Sequence, residues 1–257
     1  MTTSHAVDVT NFRDFGGYAT VDGGRVRRDR LYRSGQLHLA QQPEIEQLLG
    51  LDFSMIADLR YESERTNAPS PWPDAYFERI HAHGSDRSSD APHVALLRSE
   101  SVDNGAITKF YLHFYASLPF DRLYQPLFAR ILTNLGDTSG RFLVHCAAGK
   151  DRTGIIVGLI HHALGVSRAD IFADYMRSLN APGLAGQGPT IADEIERKHG
   201  RRPPLAVVEK LLEVEEVYLQ TAFDAIEAKC GSLDAYLDEA GLDAAGRERL
   251  RERLVER

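Results

Sequence analysis

Cysteine is scarce in this chain, whose 257 residues include only Cys146 and Cys230. Two cysteines cannot form the disulfide framework on which many small secreted domains depend, and these two lack the spacing of metal ligands. We therefore expect a reducing compartment and no metal site. Cys230, at the end of a predicted helix, is interpreted as a packing residue.

Long apolar runs are missing as well. No stretch approaches the roughly 18 to 20 apolar residues that a membrane-spanning helix needs. The first ten residues, MTTSHAVDVT, have neither the basic start nor the apolar core of a signal peptide. The sequence therefore predicts a cytoplasmic protein without a transmembrane segment.

An excess of positive charge is also absent, since the formal net charge is −7. A surface that is negative overall repels nucleic acid, which is therefore not an expected partner. One local exception lies between residues 25 and 33, where five arginines cluster. We interpret that stretch as a charged hairpin facing solvent rather than as a surface for an anionic membrane or substrate.

The patterns that are present predict an α/β fold. Nearly continuous apolar runs at Phe53–Leu59 and Phe142–Val144 are typical of strands buried on both faces, as in a parallel sheet. Apolar residues at helical spacing follow over 107–118, 123–135 and 155–164, and the pattern is helical from about 167 to 257. With no internal repeat and no linker, we expect a single domain over 1–257: a central, mainly parallel sheet flanked by helices, with a helical C-terminal part.

Three assignments rest on weaker patterns. Turn signals within residues 15–24 predict a small hairpin near the amino terminus. Tyr76–His83 is a candidate strand. The polar stretch Gly84–Gly105 is interpreted as a loop that is mobile or flanks the active site.

One loop between a predicted strand and a predicted helix carries the sequence HCAAGKDRTG, residues 145–154. The backbone N–H groups of such a loop and the start of the following helix form a site for an anion such as phosphate. Small side chains at Ala147, Ala148 and Gly149 leave these amides accessible. The same positive field would stabilise a thiolate at Cys146, which makes this residue the candidate nucleophile.

The residues that follow fit phosphoryl transfer. Arg152 can offer two parallel N–H donors to phosphoryl oxygens, and Thr153 can donate its hydroxyl toward the sulfur. The spacing Cys-x5-Arg alone is weak evidence, but the preceding His, the internal Gly and the following Thr-Gly make the pattern specific. We expect hydrolysis of phosphomonoesters through a cysteinyl-phosphate intermediate, with Arg152 as the phosphate clamp.

Beyond this loop, the sequence resembles one branch of the cysteine-dependent protein tyrosine phosphatases, the bacterial and fungal enzymes related to the mycobacterial triple-specificity phosphatase. The matching segments cover nearly the whole chain and are Asn11–Gly17, Leu31–Ser34, Asp58–Arg60, Lys150–Arg152, Ala173–Tyr175 and Gly231–Leu233. The resemblance implies a phosphotyrosine phosphatase fold and no metal or other cofactor. It also implies activity that extends from phosphotyrosine to phosphoserine, phosphothreonine and phosphoinositides.

Lys150 distinguishes this loop from that of plain tyrosine phosphatases and is similar to lipid-phosphatase loops. A second cation would favour substrates with more than one phosphate; the alternative is a solvated surface lysine. His145 is expected to orient the loop by hydrogen bonds rather than to act as a base. Asn11, Arg13 and Asp14 flank a Gly-Gly turn and are expected to be structural.

The region after the predicted helix at 155–164 has two interpretations. In relatives of this family, helices in this part form a lid over the site. The amphipathic segment Leu205–Val217 resembles such a lid, and ordinary core helices fit the pattern equally well.

Three carboxylates are candidates for the acid that protonates the leaving oxygen. Asp151 ranks first because it is fixed inside the loop, where the thiolate and the phosphate dianion favour its neutral form. Asp58 ranks second, because it ends a predicted strand but could instead pair with Arg60 or Arg152 and only hold the loop. Asp86, in the polar stretch, ranks third.

Two other functions use a similar loop. A catalytically weak module that binds phosphoproteins or phosphoinositides would use the same pocket, but such modules usually lose the cysteine or the arginine, and both are present. A rhodanese-like sulfurtransferase also places a cysteine at the head of an anion-binding loop. It does not need Arg152 followed by Thr153.

Overall fold

The computed structural model describes residues 9–84, 96, 102–184 and 186–257. The strands, in chain order, are Arg13–Asp14 (β1), Arg25–Val26 (β2), Leu31–Ser34 (β3), Phe53–Asp58 (β4), Ile80–Ala82 (β5), Arg141–His145 (β6) and Val255–Glu256 (β7). One sheet has the order β1-β3-β6-β4-β5, and β2 pairs with β7 in a second sheet.

The larger sheet is mainly parallel. Strands β3, β6, β4 and β5 run parallel, while β1 is antiparallel to β3. The register places Ser34 and Asp58 on either side of His145, the last residue of β6. Strands β3, β4 and β6 therefore end at the same edge of the sheet, and Cys146 directly follows β6 in the chain. The predicted fold class is confirmed.

The strands are buried on both faces because successive side chains enter different hydrophobic clusters. Phe142 and Val144 of β6 pack in one cluster with helix residues such as Ile155. Leu143, between them, packs in the other cluster with Trp72. This alternation explains the continuous apolar run in the sequence, since neither face of the strand meets water.

The helices cover most of the remaining described chain. In chain order they are Gln42–Gly50 (α1), Glu62–Asn67 (α2), Asn104–Ser117 (α3), Tyr124–Asp137 (α4), Asp151–Ala163 (α5), Arg168–Met176 (α6), Gly188–His199 (α7), Leu205–Leu212 (α8), Glu216–Cys230 (α9), Leu233–Glu239 (α10) and Ala244–Leu254 (α11). Short 3₁₀ turns occupy Asp74–Arg79, Leu118–Phe120 and Arg177–Asn180. Within the described residues, no helix is both long enough and apolar enough to cross a membrane.

Several predicted elements differ in extent from the observed ones. Strand β5 is limited to Ile80–Ala82, because residues 74–79 form a 3₁₀ turn in which Tyr76 stacks on Trp72 at 5.4 Å between ring centroids. The helical segment predicted over 205–217 is interrupted after Leu212 and resumes at Glu216.

The N-terminal strands find partners far along the chain. A bridge between Ala19 and Arg25 closes a turn, as the hairpin prediction requires. However, β1 pairs with β3 and β2 pairs with β7 at the carboxyl end. Most of the predicted loop Gly84–Gly105, including Asp86, lies outside the described residues.

Candidate active site

The main chain after β6 is turned so that its carbonyl groups face the surrounding protein. The carbonyls of residues 147–149 accept hydrogen bonds from the Gln36 N–H (2.9 Å), from Asn11 Nδ2 (3.3 and 2.8 Å) and from Arg33 Nη2 (2.8 Å). In a trans peptide unit, the N–H of the next residue points opposite to the carbonyl. The N–H groups of residues 148–150 therefore point to the inside of the loop, where they can bind an anion.

Gly149 is required by the path of this loop. Its φ angle is +68°, and a Cβ atom there would lie 2.4 Å from the Ser34 carbonyl oxygen. Both the backbone conformation and the close approach to the end of β3 exclude a larger residue. Ala147 and Ala148 also have small side chains, which fits the expectation that the amides of this loop are accessible.

The buried ion pair between Arg33 and Asp174 holds the loop at the Gly149 carbonyl. Arg33 binds the Gly149 carbonyl with one nitrogen and Asp174 Oδ2 with the other, at 2.8 Å each. Arg13 adds a second cation at 3.5 Å from Asp174. Burial alone would raise the pKa of Asp174, but Arg33 and Arg13 outweigh it and hold that pKa at about 2. The structural role expected for Asn11 and Arg13 fits these contacts.

Arg152 is buried, and partners from one part of the chain fix its guanidinium. Its Nη1 and Nη2 donate to the two carboxylate oxygens of Glu64 at 2.6 and 2.9 Å, and Nη1 also donates to the Leu59 carbonyl at 3.1 Å. Burial alone would lower the pKa of the guanidinium, but Glu64, Tyr124 and Cys146 raise it well above its ordinary value. Arg152 is therefore a permanent cation beside the thiol.

The hydrogen bonds of Arg152 to described residues use only part of its donor set. The Nη1 donors and one Nη2 donor face Glu64 and Leu59. The Nε–H and the second Nη2–H remain for a ligand and form one edge of the planar guanidinium. Such an edge matches two oxygens of a phosphoryl group.

Glu64 belongs to the site through its contacts with Arg152, although it lies outside the motifs that indicated the site in the sequence. It is the third residue of α2, and its Oε2 accepts a hydrogen bond from the Tyr61 backbone N–H at 2.7 Å. This reciprocal contact at the start of a helix fixes the carboxylate. The signal was present as a glutamate three residues after Tyr61, the residue that precedes the helix, close behind the Asp58–Arg60 motif.

Asp58 is paired and buried. Its oxygens accept from Arg60 Nε at 2.9 Å and from Arg60 Nη2 at 2.8 Å, and His145 Nε2 lies 3.7 Å from Oδ2. Burial alone would raise the pKa of Asp58, but His145 and Arg60 hold it at about 2. At neutral pH this carboxylate is ionised and has no proton to donate. Of the two roles considered for Asp58, the geometry fits the pairing role and gives no support to the acid.

His145 is completely buried at the end of β6. Burial is the main cause that lowers its pKa to about 4, against the opposing influence of Asp58. The imidazole is therefore neutral at neutral pH. Its two ring nitrogens have no hydrogen-bond partner among the described residues, so the expected orientation of the loop by this side chain stays a prediction. Its backbone carbonyl accepts from the Leu59 N–H at 2.8 Å, which ties the Asp58–Arg60 turn to β6.

Asp151 and Lys150 form a polar cluster beside the loop. Asp151 Oδ1 accepts from Lys150 Nζ at 3.0 Å and from the Tyr115 hydroxyl at 2.7 Å. Lys150 also donates to the Tyr111 hydroxyl and to the Glu213 carbonyl, each at 3.1 Å. Because Lys150 is only 2% exposed, it is not a solvated surface lysine. The Asp151 side chain keeps 16% exposure and can reach a ligand.

The two cysteines lie in different surroundings. Cys146 is 1% exposed, and the buried Thr153 hydroxyl next to Arg152 has no hydrogen-bond partner among the described residues. Cys230 is half-buried, and its Sγ lies 3.6 Å from Glu239 Oε2. Burial and that carboxylate raise the pKa of Cys230, so its thiol is not activated. This agrees with the packing role expected for Cys230.

Comparison with known proteins decides the family, because the model of a tyrosine phosphatase family matches residues 5–256. The chain belongs to this tyrosine phosphatase family. A Cupriavidus necator protein named as a tyrosine-protein phosphatase is 35% identical to this phosphatase over 234 residues, which cover 90% of this chain and 81% of that protein. Triple specificity protein phosphatase PtpB of Mycobacterium tuberculosis is 30% identical over 271 residues, covering 94% of this chain and 95% of PtpB.

A third relative matches less of this phosphatase. The tyrosine-protein phosphatase of Nostoc commune is 28% identical over 175 residues, which cover 66% of this chain and 54% of that protein. The resemblance inferred from the sequence motifs is therefore confirmed, and the chain is a tyrosine phosphatase.

Proposed function

We propose that this phosphatase acts through a cysteinyl-phosphate intermediate, with Cys146 as the nucleophile. The observation that carries the proposal is the orientation of the loop that follows Cys146: its carbonyls at residues 147–149 are bound from outside, which turns the N–H groups of residues 148–150 to its inside. The free edge of Arg152 completes the anion site. A dianionic phosphoryl group held there would place its phosphorus next to the sulfur, since amides and guanidinium bind oxygens.

The reaction has two displacements at phosphorus. In the first, the Cys146 thiolate forms an S–P bond, the ester P–O bond breaks, and Asp151 gives its proton to the leaving oxygen. In the second, Asp151 removes a proton from water, the water oxygen bonds to phosphorus, and the S–P bond breaks. Thr153, whose buried hydroxyl has no other described acceptor, stabilises the departing thiolate.

The proposed substrates are phosphotyrosine first, then phosphoserine, phosphothreonine and phosphoinositides. The relative from M. tuberculosis, which carries triple specificity in its name, supports this wider range. Lys150 can support activity on phosphoinositides only if its ammonium group exchanges one of its present partners. Its ammonium group already binds Tyr111, Asp151 and Glu213, so a second phosphate must displace at least one of these acceptors.

The test of the mechanism is the variant Cys146→Ser. It should lose turnover of an aryl phosphate and keep its affinity for inorganic phosphate, because the amides bind the anion without the sulfur. Denaturing quench of wild type during turnover of ³²P-labelled substrate should trap label on Cys146. The matched control Cys230→Ser should retain activity and labelling. Activity of Cys146→Ser near that of wild type would contradict the mechanism.

The range of substrates is tested separately. Turnover of a phosphotyrosine peptide, a phosphoserine peptide and a phosphoinositide should each be lost in Cys146→Ser, if one site serves all three. Binding of these ligands by wild-type protein without any turnover would instead identify a binding module.

A further inference from the structure

A buried line of hydroxyl groups leads to Asp151. The Tyr115 hydroxyl donates to Asp151 Oδ1 at 2.7 Å, and the Tyr175 hydroxyl lies 2.7 Å from that of Tyr115. Burial, and after it the negative charge of Asp151, raises the pKa of both tyrosines, so both keep their protons at neutral pH. Because the Tyr115 hydroxyl donates its only hydrogen to Asp151, the Tyr175 hydroxyl must donate to Tyr115.

This arrangement distinguishes the two oxygens of Asp151. Oδ1 accepts from both Tyr115 and Lys150. The carbonyl-type oxygen of a neutral carboxyl group is the better acceptor, and its hydroxyl oxygen carries the proton. When Asp151 is neutral, its proton therefore lies on Oδ2.

Tyr175 is held in place by the same elements that support the phosphate loop. A Cβ atom on Gly154 would lie 2.8 Å from the Tyr175 ring, so this glycine lets α6 approach α5 closely. Asp174, the preceding residue, pairs with Arg33 under the loop. Two successive residues of α6 thus fix the phosphate loop and, through Tyr115, the carboxyl group of Asp151.

We infer that Tyr115, supported by Tyr175, is a positioning residue that directs the proton of Asp151 from Oδ2 to the leaving oxygen. This inference rests on the proposed role of Asp151 as the acid. In the proposed mechanism, Tyr115 itself contacts neither substrate nor sulfur. Its removal should therefore affect only the proton transfer and not the binding of the anion.

The experiment measures kcat/KM of Tyr115→Phe on aryl phosphates whose leaving groups range from good to poor. A loss of roughly tenfold is expected on the poorest leaving groups and little change on the best, because only poor leaving groups need the proton. Affinity for vanadate should stay at the wild-type value. The matched control is Tyr236→Phe, which removes another buried hydroxyl, one that donates to the Pro119 carbonyl at 2.8 Å, and should leave the whole series unchanged.

A double variant separates this inference from the role of Asp151. In an Asp151→Asn background, Tyr115→Phe should cause no further loss, since it acts through that carboxyl group. Suppose that Asp151→Asn shows the graded loss. If Tyr115→Phe then has the activity of Tyr236→Phe, or loses activity uniformly, the positioning role of Tyr115 is overturned. The role of Asp151 as the acid is kept in that case. A uniform loss in Asp151→Asn overturns both. If Tyr115→Phe does not fold, Tyr175→Phe takes its place, with the same graded pattern at smaller size expected.

Discussion

The carboxylate of Glu64 grips the guanidinium of Arg152 along one edge, with hydrogen bonds of 2.6 and 2.9 Å. This contact leaves the adjoining edge, formed by Nε–H and the second Nη2–H, for the proposed anion site. A flexible arginine would lose side-chain entropy on binding phosphate, whereas Arg152 has already lost it on folding. In the proposed mechanism, Glu64 thus positions Arg152 for phosphate without touching the phosphate.

Glu64→Gln should therefore weaken the clamp. Replacing one charged hydrogen bond by a neutral one costs about 1.5 kcal/mol, which corresponds to roughly a tenfold loss in kcat/KM. The loss should appear equally on good and poor leaving groups, together with weaker vanadate binding. Glu78→Gln, at an exposed position in the 3₁₀ turn, is the control and should match wild type. Unchanged vanadate affinity in Glu64→Gln would show that Arg152 needs no such support.

Lys150→Ala should harm phosphoinositide hydrolysis more than phosphotyrosine hydrolysis if its ammonium group meets a second phosphate. The comparison variant is Tyr111→Phe, which removes one acceptor of Lys150 but keeps the charge. Because this change frees one donor of the ammonium group for a second phosphate, Tyr111→Phe should keep phosphoinositide hydrolysis and shift the ratio of the two activities toward it. Equal losses on both substrates in Lys150→Ala would assign the lysine to anchoring Asp151 and Glu213.

The local part of the site was predictable from the sequence. The strand, the anion loop and the order of Cys146 and Arg152 lie within one short segment, and its small residues and glycine permit the tight backbone path of an anion-binding loop. The possible pairing of Asp58 with Arg60 was also visible, because the two are close neighbours in the chain. These predictable features all join residues that are close to one another in the sequence.

The partners that come from distant helices were not predictable. Tyr115 lies on the apolar face of α3 and has the pattern of a core aromatic, yet its hydroxyl reaches Asp151 across 36 residues. Glu64 and Arg152 are separated by 88 residues. Hydrophobic periodicity places a helix face toward the core but does not specify which polar atom it will meet there.

The buried pair Arg33–Asp174 predicts a loss of stability in acid. The pKa of Asp174 is about 2 in the folded protein, below its ordinary value of 3.8, so the unfolded chain binds more protons between these values. Stability from this group is therefore complete above about pH 4 and is lost as the pH falls toward 2, by about 2 to 3 kcal/mol.

Asp174→Asn should lower the free energy of unfolding at pH 7 by about 3 to 5 kcal/mol, because it leaves Arg33 buried without its partner. It should also flatten the dependence of stability on pH below 4. Asp224→Asn, from an exposed pair with Arg168 at 3.9 Å, should change stability by less than about 1 kcal/mol. Urea unfolding at several pH values measures both. An unchanged acid slope in Asp174→Asn would assign that slope to other carboxylates.

The identity of the general acid can be decided between Asp151 and Asp58. Asp58 has a pKa of about 2, so it is ionised at neutral pH and holds no proton for a leaving group. Asp151 keeps partial exposure at the start of α5, inside the anion loop. Asp151→Asn should therefore lose about a hundredfold or more on poor leaving groups and far less on good ones. Asp58→Asn should lose activity uniformly, because it loosens the Asp58–Arg60 turn that binds Arg152 through Leu59. Asp86→Asn, outside the described residues, completes the series; a graded loss there, with uniform loss in Asp151→Asn, would move the acid to Asp86.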